Sequence, residues 1–147
     1  MKSENHSDRS AKTAGPRWMI IDDNEEILSL MREIAAQFTN AEILCFNSPQ
    51  AAVKAFESVP EEFELVVTDL EMPLMSGLEL CRRLLAISPA AKILLATGSG
   101  IISEEAAGHE GFCGLLHKPF PFEALQRALA DIGVGRKFEN AVAHIAA

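Results

Sequence analysis

The chain of 147 residues is 48% hydrophobic, which is enough for one domain with a real core and leaves no room for a second. Its formal net charge of -8 argues against nucleic acid as a direct ligand, because no basic stripe is present that could displace phosphate counterions. No apolar run approaches the roughly 20 residues that span a bilayer, and no hydrophobic signal core is present, so we expect a cytoplasmic protein without membrane contact.

Residues 1–16 are polar and aperiodic, which predicts a disordered leader. From residue 17 onward, apolar β-branched runs alternate with amphipathic stretches, which predicts one α/β domain over 17–133. The predicted strands are 17–22, 41–46, 64–68, 92–97 and 112–117, and the predicted helices are 25–38, 49–57, 76–87, 103–110 and 122–132. The tail 134–147 carries apolar residues at about helical spacing, which fits a short helix packed on the domain or a partner, or a frayed terminus.

The first predicted helix places six apolar residues on one face: Ile27, Leu28, Met31, Ile34, Ala35 and Phe38. This spacing is typical of a helix that buries one stripe against a core. We therefore assign these side chains to the core rather than to a ligand surface.

Three carboxylates end predicted strands: Asp22 and Asp23 follow the first, and Asp69 follows the third. The ligand crevice of an open parallel sheet lies outside the carboxyl ends of its strands, so the three acids converge if those strands are neighbours. Two like charges about 5 Å apart, at an effective dielectric of about 20, repel by about 3 kcal/mol, so the cluster needs a cation or a proton. Oxygen ligands without nearby His or Cys favour Mg2+ or Mn2+ over zinc.

Two further polar side chains end strands at the same predicted edge: Thr97 follows the fourth strand, and Lys118 follows the fifth. A metal, a hydroxyl and an ammonium around one carboxylate form a site for a phosphoryl group, whose oxygens need their charge neutralised. Asp69 is then the nucleophile and forms an aspartyl phosphate. Each residue alone is typical of a cap or turn; their joint placement indicates the site.

Four segments carry a resemblance to the receiver domains of two-component response regulators, over about residues 17–133. They are Ile21-Asp22-Asp23-Asn24, Val67-Thr68-Asp69-Leu70-Glu71-Met72-Pro73-Leu74-Met75-Ser76-Gly77, Leu95-Ala96-Thr97-Gly98 and His117-Lys118-Pro119-Phe120. The resemblance implies a flavodoxin-like, doubly wound fold with five parallel strands in the order 2-1-3-4-5 and five helices.

The resemblance also implies a magnesium site. Asp23 would ligate Mg2+ directly and Asp22 through water, while Asp69 and the main-chain carbonyl of Glu71 would complete the protein ligands.

It further implies that Asp69 accepts a phosphoryl group from a sensor histidine kinase or a histidine phosphotransfer protein. Thr97 and Lys118 would hold the phosphoryl oxygens, and the Lys118–Pro119 bond would be cis. A downstream protein would bind the face formed by the fourth helix, fifth strand and fifth helix. Relatives commonly carry Tyr or Phe three residues before the Lys, whereas this chain has Leu115, which puts the usual aromatic readout in question.

Two other interpretations compete with this non-enzymatic signalling module. A Mg2+-dependent phosphohydrolase acting through a phospho-Asp needs a general acid near the nucleophile, and Glu71 stands at the usual offset, but no substrate cap is present. A phosphate-independent interaction module on the same fold is disfavoured by the complete set of acids, Thr97 and Lys118.

Overall fold

The computed structural model describes residues 16–118 and 120–135. The elements in chain order are β1 (Arg17–Ile21), α1 (Glu25–Ala35), β2 (Glu42–Phe46), α2 (Pro49–Ser58), a 3-10 turn (Pro60–Glu62), β3 (Phe63–Thr68), α3 (Gly77–Ile87), β4 (Ile93–Thr97), α4 (Glu104–His109), β5 (Gly114–His117) and α5 (Phe122–Ile132). Apart from Pro16, the predicted leader lies outside the described residues, as does the tail beyond Gly135. None of the helices in the described ranges is long and apolar enough to cross a membrane.

The five strands form one parallel sheet in the order β2-β1-β3-β4-β5, which confirms the predicted fold. The sheet is buried on both faces because helices cover each of them. Alternate residues of β1 therefore enter different cores: Trp18 and Ile20 pack with α1 and α5, whereas Met19 and Ile21 pack with α2, α3 and α4. This alternation explains why the strand is apolar throughout its length.

Four of the five helices begin at a polar cap: the side chains of Asn24, Ser48, Ser76 and Ser103 each accept a backbone N–H from the first turn. Two boundaries differ from the prediction by more than one residue. α1 ends at Ala35 rather than at residue 38, because the N–H groups of Gln37 and Phe38 donate to carbonyls only three residues earlier. β5 begins at residue 114 rather than 112, because the Phe112 N–H still caps α4 through the carbonyl of Ala107.

Candidate functional site

Three carboxylates meet at the carboxyl edge of the sheet. β1 and β3 are neighbours, with Ile21 paired to Thr68, so the acids that follow these strands stand side by side. One carboxylate oxygen from each of Asp22, Asp23 and Asp69 lies within 4.8 Å of the others. Asp22 and Asp69 are buried and Asp23 is exposed, so the cluster opens to solvent on one side.

Lys118 joins the two buried acids. Its Nζ lies 2.7 Å from Asp22 Oδ2 and 3.2 Å from Asp69 Oδ1, and its side chain is 12% exposed. Its backbone N–H donates to the carbonyl oxygen of Thr97, which ties the end of β5 to the end of β4. Burial alone would lower the pKa of Lys118, but its hydrogen bonds and ion pairs with the two carboxylates outweigh burial and raise it.

Hydrogen bonds that involve the backbone position both buried aspartates. Asp22 Oδ1 accepts the N–H of Asn24 at 2.9 Å, so both of its oxygens have partners. The Asp69 N–H donates to Ile21 O, and Thr68 Oγ1 donates to the Asp69 carbonyl oxygen. These bonds hold Asp69 from within the sheet.

Thr97 is buried beside the acids, and its hydroxyl also orders the loop that follows β4. Thr97 Oγ1 accepts the Ser99 N–H at 3.1 Å, and Ser99 Oγ accepts the Ile101 N–H at 3.2 Å. The hydroxyl hydrogen of Thr97 is not used by the first of these bonds, so it is available to donate to an anionic ligand.

A single cleft of about 710 Å³ contains all six residues predicted for the site: Asp22, Asp23, Asp69, Glu71, Thr97 and Lys118. Glu71 is exposed at its rim. The cleft has a second, apolar wall, formed by Ile27, Leu30, Met31 and Ile34 of α1 and by Phe120. Sequence reasoning assigned the α1 stripe to the core alone and missed this wall.

Leu115, at the position where relatives commonly carry an aromatic residue, packs partly buried against the core under α4. Phe112 is buried in the same core. Pro119 lies outside the described residues, so the cis Lys118–Pro119 bond stays a prediction.

In metal-free protein at neutral pH, we expect Asp69→Asn to raise the free energy of unfolding by about 1 kcal/mol. Burial raises the pKa of Asp69; Lys118 opposes this shift and Asp22 adds to it. The pKa of Asp69 is therefore higher in the folded protein than in the unfolded chain. The parent protein is most stable at a pH below the unfolded-state pKa, where Asp69 is protonated in both states. It loses stability as the pH rises through the folded-state pKa, because a buried charge then forms. The asparagine side chain of the variant stays neutral at every pH, so the variant does not lose stability in this way.

Urea unfolding of parent and variant in chelator, over a pH series, measures this difference. The advantage of the variant should shrink as pH falls through the pKa of Asp69. A variant less stable than the parent at neutral pH would mean that Lys118 stabilises the ionised carboxylate by more than burial costs.

Comparison with known proteins identifies the family. A family model described as the response regulator receiver domain matches residues 18–130. The chain belongs to this family. Receiver domains carry a phosphorylatable aspartate and are generally non-enzymatic signalling modules.

Two relatives show how much of a longer protein this receiver spans. It is 32% identical over 104 residues to the response regulator receiver protein Anae109_2439 of Anaeromyxobacter sp. (strain Fw109-5), covering 70% of this chain and 42% of that protein. It is 25% identical over 119 residues to the transcriptional regulatory protein CutR of Streptomyces coelicolor, covering 80% of this chain and 53% of that protein. The chain thus spans about half the length of these curated relatives.

Solved structures share the receiver fold. A response regulator receiver domain from Clostridium thermocellum has a TM-score of 0.72 and 26% identity, covering 79% of this chain and 92% of that chain. The CheX-CheY complex from Borrelia burgdorferi has a TM-score of 0.73 at 16% identity, covering 81% and 90%, which shows the fold alone.

Proposed function

We propose that this receiver accepts a phosphoryl group on Asp69 from a phosphohistidine of a sensor kinase or phosphotransfer protein, and that the phosphorylated form binds a downstream protein. One observation carries the proposal: Lys118 Nζ lies 3.2 Å from Asp69 Oδ1, inside a cleft that also contains Thr97 and two more carboxylates. An ammonium and a hydroxyl beside a fixed carboxylate are what phosphoryl transfer to that carboxylate needs.

The transfer follows from these positions. A carboxylate oxygen of Asp69 forms a bond to phosphorus as the bond from phosphorus to the donor nitrogen breaks, and the electron pair leaves with the imidazole. Lys118 and Thr97 donate hydrogen bonds to the phosphoryl oxygens, whose charge the buried site would otherwise leave uncompensated. The backbone bonds of Asp69 hold the nucleophile in place before the donor arrives.

The acidic cluster fits Mg2+, which the family generally binds at such a pocket. The carboxylates of Asp22, Asp23 and Asp69 and the main-chain carbonyl of Glu71 would hold the ion, an all-oxygen set that suits a hard cation. When bound, Mg2+ neutralises charge on the transferring phosphoryl group. The Asn24 N–H, which donates to Asp22 Oδ1, already orients this carboxylate toward the cluster.

We further propose that the downstream partner binds the face formed by α4, β5 and α5. This face has a groove of about 300 Å³ whose walls include Glu104, Leu115, His117 and Arg127. Glu104 and Glu105 are exposed in the first turn of α4, whereas Glu110 is engaged by Arg82 at 3.0 Å. Glu104 at the groove and the neighbouring Glu105, both exposed, favour a partner with a basic surface.

Intact mass after incubation with acetyl phosphate, with and without Mg2+, tests the proposal. The parent should gain one phosphoryl group only when Mg2+ is present, and Asp69→Asn should gain none. Asp131→Asn is the matched control, because Asp131 is exposed near the end of α5 and should leave the gain unchanged. Failure of the parent to gain a phosphoryl group from acetyl phosphate and from a phosphohistidine protein would refute the proposal. Sustained release of phosphate over many turnovers would instead favour the phosphohydrolase.

A further inference from the structure

The cleft around Asp69 is polar at one end and apolar along one side. At the polar end, Lys118 and Thr97 lie where a phosphoryl group on Asp69 would need them. The apolar wall is formed by Ile27, Leu30, Met31, Ile34 and Phe120. The cleft volume of about 710 Å³ falls within the roughly 300–1,000 Å³ of small-molecule sites, which combine apolar walls with a few convergent polar groups. The cleft therefore has room for more than a phosphoryl group.

The apolar wall follows α1 away from the carboxylates. α1 begins at Glu25, two residues after Asp23, and Ile27 belongs to its first turn. With a rise of about 1.5 Å per residue, Ile34 lies about 10 Å further along the helix axis than Ile27. Leu30 lies between them and is 52% exposed, so its side chain is within reach of a ligand that enters the cleft. An apolar group attached to a phosphoryl group at the polar end would therefore lie along this wall.

The charges of the cleft select the kind of group that this wall accepts. Lys118 is the one cation among the described residues that line the cleft, and it is paired with Asp22 and Asp69 at the polar end. The other charged side chains of the lining are the carboxylates of Asp23 and Glu71. A donor with a second anionic group, such as a nucleoside polyphosphate, would be repelled by these carboxylates, because the described lining offers no second cation. An uncharged apolar group meets no such repulsion.

We propose that the cleft accepts small acyl phosphates as phosphodonors and prefers those whose acyl group is apolar and longer than acetyl, with that group bound on the apolar wall. In the transfer, a carboxylate oxygen of Asp69 forms a bond to phosphorus as the bond from phosphorus to the acyl oxygen breaks, and the electron pair leaves with the carboxylate product. The attacking and leaving oxygens lie roughly in line, so the acyl group projects away from Asp69 into the open part of the cleft. The transfer rests on the proposed function, whereas binding of an apolar group on the wall does not.

Second-order rate constants of phosphorylation by butyryl phosphate and by acetyl phosphate, measured by intact mass with Mg2+ present, test the preference. The two leaving carboxylates are equally basic, so the donors differ mainly by two methylene groups. Half burial of each methylene on the wall should make butyryl phosphate about fourfold faster. Leu30→Gln should lower this ratio to about two or less, because part of the wall becomes polar. Leu74→Gln is the matched control: Leu74 is 89% exposed and outside the cleft, so the ratio should stay at the parent value.

Alkylphosphonates cannot transfer a phosphoryl group and therefore separate binding from chemistry. Pentylphosphonate has the chain length of butyryl phosphate, and propylphosphonate has that of acetyl phosphate. In an NMR titration with Mg2+ present, the parent should bind pentylphosphonate about fourfold more tightly than propylphosphonate, and Leu30→Gln should show a smaller preference. A butyryl-to-acetyl ratio unchanged in Leu30→Gln would overturn the proposal, and equal rates in the parent would overturn it in favour of a protein surface on the wall. If neither acyl phosphate modifies the protein, the proposed transfer from small donors fails, while the phosphonate affinities still decide whether the wall binds an apolar group.

Discussion

Lys118→Met is expected to lower the free energy of unfolding of the metal-free protein by about 3 kcal/mol. The variant keeps the length and apolar stem of the side chain but removes the only cation that the described structure places within 4 Å of both Asp22 and Asp69. Asp22 is 1% exposed, so its charge would remain buried with no ionic partner. Removing one member of a buried pair costs far more than the intact pair contributes, because the surviving charge loses its compensation.

Urea unfolding in chelator measures this loss, and Lys92→Met is the matched control. Lys92 is exposed and donates to the carbonyl of Ile132, so its replacement should change stability by no more than about 0.5 kcal/mol. The pH dependence gives a second check. The pKa of Lys118 is higher in the folded protein than in the unfolded chain. The stability that its ion pairs contribute is therefore fully present at a pH below the unfolded-state pKa, and it is lost as the pH rises through the folded-state pKa. The deficit of the variant should therefore shrink in alkali; an equal stability of parent and variant at neutral pH would contradict the prediction.

The sheet was predictable because its residues satisfy two requirements at once. A segment such as Met19-Ile20-Ile21 is apolar at every position, as a strand buried on both faces requires, and it stops at an acid where the strand ends. The caps at Asn24 and Ser48 marked the helix starts for a local reason, since each side chain binds a backbone N–H three residues away. Features set within a few residues can be predicted from sequence.

The ionic contacts of the site could not be predicted in the same way. The sequence predicted that Lys118 reaches the acidic edge and that its ammonium binds a phosphoryl group. It did not predict the ion pair with Asp22, in which the two side chains are 2.7 Å apart. β1 and β5 are separated in the sheet by β3 and β4, so the distance between these side chains depends on twist and loop conformation. The expected relief of repulsion on removing Asp69 is accordingly smaller, because Lys118 already offsets part of it.

The apolar wall of the cleft was missed because helical spacing does not distinguish a covered stripe from an open one. Ile27 and Ile34 fit the core pattern but are only partly buried, and both line the cleft. Leu30 was the available signal, as it falls outside the stripe assigned to the core and is exposed. A leucine out of phase with a core stripe therefore indicates an apolar edge.

Leu74 also lacked a sequence signal. It adopts a φ of 74° and is 89% exposed, and the Met75 N–H donates across it to the carbonyl of Pro73 at 2.8 Å. This is a γ-turn with positive φ, a conformation that costs a leucine free energy. The turn belongs to the loop that brings the Gly77 N–H to the carbonyl of Leu70, 2.7 Å away. The backbone of that loop is therefore held at both ends.

Gly77→Ala is expected to destabilise the protein by about 3 kcal/mol and to impair phosphoryl transfer to Asp69. A Cβ at this position would stand 2.2 Å from the carbonyl oxygen of Asp69 and 3.1 Å from the Cα of Leu70. Both are backbone atoms of the loop that carries the nucleophile, so no side-chain rotation can relieve the contact. The loop must move away from α3, and Asp69 is the residue it displaces.

Gly108→Ala is the matched control, because it adds the same methyl group to a helix without a steric contact. Nothing lies within 4 Å of a Cβ at Gly108, in the last turn of α4, so alanine should stabilise the protein by up to about 1 kcal/mol through its helix propensity. Urea unfolding should thus give changes in the free energy of unfolding of opposite sign for the two substitutions. Intact mass after acetyl phosphate treatment should show a reduced phosphorylated fraction only for Gly77→Ala. A Gly77→Ala variant as stable as the parent would mean that the loop after β3 can move at little cost in free energy. The position of Asp69 would then be fixed only by its bonds to β1 and Thr68.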